Sequence, residues 1–339
     1  MNLTKLTFYF TLIIGTLISI SSYSWMGMWL GLEINLLSII PLMSTSKNSM
    51  QAEASMKYFI TQTMASMILL FSLIMMSFNL LFLMDDIMLT SMYYSALFTK
   101  MGAAPFHFWF PEIMEGLSWT NSLIMLTWQK IAPLTLITYP NFTSFKFMIL
   151  IMIFSTLISG IMGMNQTNLR KLLAYSSINH LSWMLSSMLF FETIWMYYFL
   201  TYSIITINII LILKLLNIFN MNQLFSSLNK SPLIKFFFML NFMSLGGLPP
   251  FLGFLPKWLT IQMMIKMQLF SMSLIIIIMT LMTLFFYMRI ITLGIIMKSD
   301  IKLMDNAEQP YLKKFNNIYL INFITLMLLL FSTIMFNFN

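Results

Sequence analysis

The chain has 339 residues, of which 59% are hydrophobic and only 8% are charged, and its formal net charge is +8. A soluble globular domain carries about 25% charged residues, so this composition excludes a soluble protein and indicates a polytopic membrane protein. The absence of cysteine excludes thiolate-held iron–sulfur clusters, cysteine zinc sites and disulfides within the chain.

Apolar runs of about 17 to 25 residues are the signal for membrane-spanning helices, and the chain contains eleven such runs. They lie near 5–22, 26–44, 55–83, 88–111, 120–139, 145–163, 171–190, 194–216, 232–265, 270–297 and 317–337. The ninth run is so long that it must be broken. We therefore expect an all-α polytopic protein with about 11 transmembrane helices in a single domain over residues 1–339.

Basic residues lie almost entirely in the loops on one side of this predicted topology. Twelve Lys and Arg residues fall on the N-terminal side, and only Lys146 and Lys266 fall on the other. Loops that are rich in Lys and Arg stay on the side of the membrane on which the chain is synthesised. We therefore expect the N-terminus to face that compartment and the C-terminus to lie on the opposite side. The net charge is then a topology signal and not a nucleic-acid footprint.

The residue balance indicates the kind of genome that encodes the chain. There are 37 Met and 33 Phe, but only two Arg. This balance is typical of an AT-rich organelle gene with additional methionine codons, although an AT-rich bacterial endosymbiont would give a similar one. No Arg-rich amphipathic presequence precedes the first apolar run, which fits insertion from inside an organelle.

The run near 88–111 contains a lysine, a glycine and a proline, and a second proline at its end. Lys100 lies within the run, and a cation at the centre of a membrane helix costs roughly 2.5 to 3.5 kcal/mol. Pro105 and Pro111 each remove a backbone donor, and the freed carbonyls must be satisfied by protein or a water-filled cavity. We therefore expect an interrupted helix here with a functional lysine beside the break.

The same pattern recurs 145 residues later. The positions that match are Gly102, Pro105, Phe106, Trp109 and Pro111 with Gly247, Pro250, Phe251, Phe254 and Pro256. Paired spans interrupted by Gly and Pro are the sequence feature that best indicates an ion path on discontinuous helices. We therefore expect a second interruption within 232–265. The lysines differ, because Lys100 precedes its break and Lys257 follows its own.

Further ionisable residues lie inside the predicted spans. Glu33 is about a third of the way along the second span, Lys130 is mid-span without a nearby acid in the sequence, and His180 is mid-span among hydroxyl residues. Such residues are usually functional, and histidine can relay protons near neutral pH. The alternatives are a neutral or snorkelling Glu33, lysines that reach the interface along their stems, and a hydrogen-bonded packing role for His180. Residues with a structural, interfacial or solvated interpretation are His107, Arg289, Glu112 and Glu115.

Six motifs, in this order, resemble those of the antiporter-like membrane subunits of mitochondrial NADH:ubiquinone oxidoreductase, respiratory complex I. They are WLGLEINL at 29–36, KMGAAPFHFWFPE at 100–112, TWQKIAP at 127–133, NQTNLRKL at 165–172, YSSINHL at 175–181 and GGLPPFLGFLPKW at 246–258. The resemblance covers nearly the whole chain and implies an antiporter-like fold with two discontinuous helices in inverted repeats. Bacterial members have fourteen helices and animal members lack the first three, which agrees with eleven spans.

The resemblance also implies the residues of a proton path. Glu33 and Lys100 match the interacting acid and lysine of one half-channel, and Lys130 matches the central lysine. His180 matches the histidine that bridges central and distal groups, and Lys257 the lysine of the second broken helix. Several relatives carry glutamate at the position of Lys257, which leaves the proton exit route open. The half-channels would comprise about 26–139 and 145–297, followed by a C-terminal helix at 317–337.

The resemblance further implies a role in an H⁺-translocating NADH:ubiquinone reductase of the mitochondrial inner membrane, with the N-terminus in the matrix and the C-terminus in the intermembrane space. No redox centre is expected in this chain, because FMN, iron–sulfur clusters, NADH and ubiquinone belong to the rest of the complex. The expected partners are other membrane-arm subunits and lipids such as cardiolipin, and not nucleic acid. Two alternatives stay open: a subunit of a multi-subunit cation/proton antiporter, and a membrane scaffold that does not pump.

Overall fold

The computed structural model describes residues 3–44, 48–77, 86–140, 144–189, 192–228, 232–296 and 322–323. Within these ranges the chain is almost entirely helical, and the only β pairing is an isolated bridge between Asn168 and Asn220. The all-α class is therefore confirmed. The chain divides into two compact units, Met1–Ile158 and Ser159–Asn339.

The described residues of the first unit form seven helices and the beginning of an eighth. They are α1 Leu3–Ser21, α2 Trp25–Met43, α3 Ser49–Ser77, α4 Asp86–Met101, α5 Trp109–Gly116, α6 Trp119–Leu126, α7 Trp128–Thr138 and α8 Phe145–Met164. The helix α3 packs against α2, α4 and α5, and α7 packs against α4. The pair α4 and α5 therefore lies against α3, and α4 also lies against α7.

The second unit contains the end of α8 and six further described helices. They are α9 Leu169–Met188, α10 Glu192–Leu216, α11 Met221–Leu228, α12 Pro232–Gly246, α13 Phe254–Lys266 and α14 Phe270–Ile296. The helix α10 packs against α9, α12 and α13, and α14 packs against α12. Each unit thus arranges the same sequence of neighbours around one pair of short helices.

Ten of the eleven predicted spans coincide with a described helix or helix pair. Among the described helices, six have the length and apolar composition for crossing a membrane, namely α1, α2, α3, α8, α10 and α14. The predicted run at 317–337 lies outside the described residues except for positions 322 and 323, so the total of eleven stays a prediction. The short helix α11 was not predicted.

Both predicted interruptions are confirmed, and the two breaks have the same backbone geometry. At the end of α4, Gly102 has φ +73°, and Ala103 N–H donates to the Phe98 carbonyl at 3.0 Å. At the end of α12, Gly247 has φ +77°, and Leu248 N–H donates to the Met243 carbonyl at 3.3 Å. This pattern is a Schellman motif, whose left-handed position favours glycine.

A third break, which was not predicted from the sequence, divides the span near 120–139 into α6 and α7. Thr127 separates them with φ −115° and ψ −72°, and its hydroxyl donates to the Leu123 carbonyl at 2.8 Å. A threonine hydroxyl that bonds back to a carbonyl four residues earlier bends a helix. Pro133, inside α7, also removes the amide that would bond to the Gln129 carbonyl.

The helix α9 is the most enclosed element of its unit, because every residue except Arg170 and Lys171 is buried. By contrast α1, α3 and α14 keep many exposed large apolar side chains, as expected of helices that face lipid or partner subunits. The enclosed position of α9 fixes His180 and Trp183 in the interior of the second unit.

Candidate functional site

The amine of Lys100 lies in the last turn of α4, two residues before the positive-φ Gly102. The residue is 8% exposed and lines a cavity among α2, α3, α4 and α7. The other polar residues that line it are Asn35, Tyr58, Gln62 and Gln129. The centre of a water molecule can occupy about 10 Å³ of this cavity, which is room for about one water.

Glu33 projects from α2 close enough to Lys100 and to Tyr58 to interact with them electrostatically. Its Oε2 atom is buried and has no hydrogen-bond partner among the described residues. Within the same residues no ion pair shorter than 4.0 Å joins Glu33 to Lys100. The acid and the amine are therefore close enough to influence each other but are not joined by an ion pair.

Two amides join α2 to α7 beside this cavity. Asn35 Nδ2 donates to Gln129 Oε1 at 3.0 Å, and Gln129 Nε2 donates to Asn35 Oδ1 at 3.0 Å. Neither residue was predicted from the sequence as part of a site, nor was Gln62. A scan for amide side chains within apolar runs would have found all three, but their pairing across 94 residues has no signal in one sequence.

Lys130 lies in the first turn of α7, three residues after the Thr127 break. It is 1% exposed, and its Nζ lies 5.6 Å from the centre of the Phe110 ring on α5. An aromatic face attracts a cation electrostatically. The amine is thus placed in the interior of the first unit, against the second half of the first broken helix.

Lys257 lies in the first turn of α13 and reaches back to the end of α12. Its Nζ donates to the Gly246 carbonyl at 2.8 Å and to the Leu245 carbonyl at 3.4 Å. A Cβ atom on Gly247 would lie only 2.7 Å from Lys257 Cδ, so glycine leaves the space that the lysine stem occupies. The carboxyl end of a helix carries partial negative charge, and this end therefore stabilises the ammonium form of Lys257.

His180 is buried on α9, and its Nδ1 lies 2.9 Å from the Tyr198 hydroxyl on α10. It lines a second cavity, also with about 10 Å³ for the centre of a water molecule, together with Thr201, Tyr202 and Leu245. Leu245 provides one of the carbonyls that accept from Lys257. The indole ring of Trp183, one turn from His180 on α9, lies 5.9 Å from Lys257 Nζ.

The structure therefore groups the five predicted residues into two sets. Glu33, Lys100 and Lys130 belong to the first unit, and His180 and Lys257 belong to the second.

Three of the residues with a structural, interfacial or solvated interpretation make an ion pair or a contact with a backbone carbonyl. Glu112 pairs with Lys57 at 2.9 Å. Arg289 donates to the Met164 carbonyl at 3.1 Å, and His107 Nδ1 lies 3.3 Å from the Pro105 carbonyl. Among the described residues no group of three His, Asp or Glu side chains could hold a metal ion.

Comparison with known proteins gives one family match and many relatives. The family described as NADH:quinone oxidoreductase/Mrp antiporter, transmembrane, matches residues 22–283. The chain is 53% identical over 291 residues to NADH-ubiquinone oxidoreductase chain 2 of Anopheles gambiae, which covers 84% of this chain and 83% of that protein. It is 50% identical over 340 residues to the chain 2 protein of Aedes aegypti, which covers 97% of each.

Solved structures share the fold at lower identity. A chain of respiratory complex I from Thermus thermophilus matches with a TM-score of 0.80 and 21% identity, over 97% of this chain and 78% of that one. A chain of the Mrp complex from Dietzia matches with a TM-score of 0.76 and 16% identity, over 96% of this chain and 74% of that one. Both likenesses concern the fold.

Proposed function

Because the chain belongs to the NADH:quinone oxidoreductase/Mrp antiporter family, we propose that it carries protons as a membrane-arm subunit of respiratory complex I. The relatives named NADH-ubiquinone oxidoreductase chain 2 confirm the resemblance that the six motifs carry, and insect proteins are among them. The chain is thus a subunit of an H⁺-translocating NADH:quinone oxidoreductase. The cysteine-free sequence supports redox chemistry in other chains.

One observation carries the proton-path proposal: each of the three buried lysines lies within about one helical turn of a break. Lys100 precedes Gly102 by two residues, and Lys130 follows Thr127 by three. Lys257 is the fourth residue of α13. Breaks expose backbone carbonyls and leave room for water, so they are where an amine inside a membrane can be charged and discharged.

The five residues take the following roles in this proposal. Removal from water penalises the charged form of a side chain, and a facing opposite charge restores it. A movement of Glu33 towards or away from Lys100 would therefore load or unload the lysine, with Lys130 as the central group of the first unit. His180 and Lys257 form the corresponding set of the second unit, through the cavity that touches His180 and Leu245.

The partners and location follow from the family. The structural matches are subunits of multi-subunit membrane complexes, and the chain is a multi-pass membrane protein. We propose other complex I membrane-arm subunits and cardiolipin as its contacts. We further propose the mitochondrial inner membrane, with the N-terminus in the matrix and the C-terminus in the intermembrane space. FMN, iron–sulfur clusters, NADH and ubiquinone would be bound by other chains.

Substitution of Lys130 tests the proposal. Lys130→Met keeps the length and apolarity of the side chain but removes the amine, so assembly should survive while proton uptake per NADH oxidised falls. Tight coupling would also slow NADH oxidation. The measurement uses reconstituted, fully assembled complex, with the exposed Lys146→Met as control. Equal pumping and turnover in both variants would favour a scaffold, and recovery of the chain from a complex without quinone reductase would favour a cation/proton antiporter.

A further inference from the structure

The cavity beside Lys100 has a polar lining that the proposed proton path does not use in full. Five polar side chains from four helices converge on it: Asn35, Tyr58, Gln62, Lys100 and Gln129. The cavity is too small for anything larger than a water molecule, since the centre of a water molecule can occupy only about 10 Å³ of it. Any occupant must therefore be a single small hydrogen-bonding species.

The buried side chain of Gln62 is a second observation that points to an occupant of this cavity. It projects from α3, is 3% exposed, and its Nε2 atom is buried without a hydrogen-bond partner among the described residues. A buried amide donor without an acceptor is costly, and such groups in native proteins are usually satisfied by water. The Gln62 side chain lines the cavity, so an acceptor placed there would satisfy it.

The side chains that line the cavity favour a neutral molecule that both accepts and donates hydrogen bonds over a metal cation. Gln62 Nε2 and Lys100 Nζ are donors, and an ammonium group would repel a cation in this small space. The Asn35 and Gln129 oxygens each accept one bond in their mutual pair and retain a second lone pair. A water oxygen can accept from Gln62 and Lys100 while its protons are donated to an amide oxygen or to the Tyr58 hydroxyl. Two to four polar partners are what a buried water needs.

We propose that this cavity is a binding site for one water molecule, which the Gln62 amide holds against the Lys100 amine, and that Gln62 is a positioning residue for Lys100. The water completes the hydrogen bonding of the ammonium group that Glu33 attracts without an ion pair. The inference rests on the proposed function only in so far as Lys100 carries protons.

The second unit has a cavity at the equivalent place, which supports a specific binding site rather than an accidental void. Both cavities lie where the second and third long helices of the unit meet the end of the first half of the broken helix: α2, α3 and α4 in one unit, and α9, α10 and α12 in the other. The wall of the first contains Lys100, and the wall of the second contains Leu245, whose carbonyl accepts from Lys257.

The direct test is a map of the intact, assembled complex at a resolution that shows ordered water. We expect one water peak within hydrogen-bond distance of both Gln62 Nε2 and Lys100 Nζ. The same map of a Gln62→Leu complex should lack that peak. No peak in the parent map, or a peak that persists in the variant, would overturn the proposal. This readout does not depend on whether Lys100 carries protons, so its failure is distinguishable from failure of the proposed function.

The positioning role is tested by proton uptake in the same preparations. Gln62→Leu and the unbranched Gln62→Met should each assemble, because an apolar side chain of similar size leaves no buried donor without a partner when the water is lost. Both should slow proton pumping by roughly fivefold, the equivalent of one lost hydrogen bond. The control is Gln51→Leu, three turns earlier on α3 and outside the cavity lining. If the variants lose the water but pump at the control rate, the positioning role is wrong.

Discussion

The three buried lysines are stabilised by different surroundings. Lys100 interacts electrostatically with Glu33, Lys130 lies over the Phe110 ring, and Lys257 donates to two carbonyls at the end of α12. A carboxylate can move or gain a proton, whereas backbone carbonyls stay fixed. We therefore expect the Glu33 and Lys100 pair, and not Lys257, to change its charge.

Neutralisation of Glu33 should lower pumping without loss of assembly. In Glu33→Gln the amide keeps the size of the carboxyl group but removes the charge that Lys100 faces. A charge several ångströms away is worth about 1 to 2 kcal/mol at an effective dielectric constant of about 20, so we expect roughly a tenfold loss of proton uptake rate. Glu53→Gln, on an exposed carboxylate paired with Lys57, is the matched control. Equal rates in the two variants would show that the Glu33 charge is not used.

Lys257 should not tolerate replacement by glutamate. In Lys257→Glu a carboxylate would face the carbonyls of Gly246 and Leu245 at the negative end of α12. Lys257→Met only removes the two hydrogen bonds. We expect the Glu variant to be less stable than the Met variant by about 1 to 2 kcal/mol, the scale of a charge at a helix end. Thermal unfolding of the two assembled complexes measures the difference, and an equally stable Glu variant would contradict the carbonyl contact.

At the scale of elements, much of the architecture around the breaks was predictable from sequence. Glycine and proline have strong backbone restrictions, so Gly102 with Pro105, and Gly247 with Pro250, indicated both interruptions. The break at Thr127 was not predictable, since threonine also occurs in regular helices and its hydroxyl bond to Leu123 depends on the local geometry. Burial of lysine inside a span was visible, but its partners were not, because they lie on other helices.

The Gly247 position allows a test of the break with an adjacent control. Gly247→Ala would put a Cβ at φ +77° and 2.7 Å from Lys257 Cδ. The left-handed conformation alone costs a non-glycine residue about 1 to 2 kcal/mol. The neighbouring Gly246→Ala would place its Cβ at 3.7 Å from the Tyr287 ring, an ordinary contact. We expect lower thermal stability and weaker pumping only in Gly247→Ala. Indistinguishable variants would mean that Lys257 does not depend on this turn.

At the scale of the whole molecule, the two units share an order of elements and a break geometry but differ in where the amine enters. Lys100 comes from the half-helix before the break, and Lys257 comes from the half-helix after it. At the position that matches Lys257, the first unit has Glu112. This residue pairs with Lys57, and both side chains are exposed. A repeat visible in sequence as five matching residues therefore predicts the shared backbone, while the side-chain chemistry of each unit has to be read from its own contacts.

Orientation in the membrane is the property that the loop charges predict most directly. If the basic loops stay in the matrix, the segment near 298–316 lies there, and the turn after α13 lies on the intermembrane side.

The cysteine-free chain allows single-cysteine labelling without background from its own thiols. We expect Met267→Cys, at a residue that is 48% exposed, to react with a membrane-impermeant maleimide added from the intermembrane side. Ser299→Cys should react only after the inner membrane is permeabilised. Labelling in the permeabilised sample is the control for access in both variants, and the reverse pattern would invert the proposed topology. Because each span reverses the side of every later loop, labelling of both sites from one side would instead require a different number of spans between them.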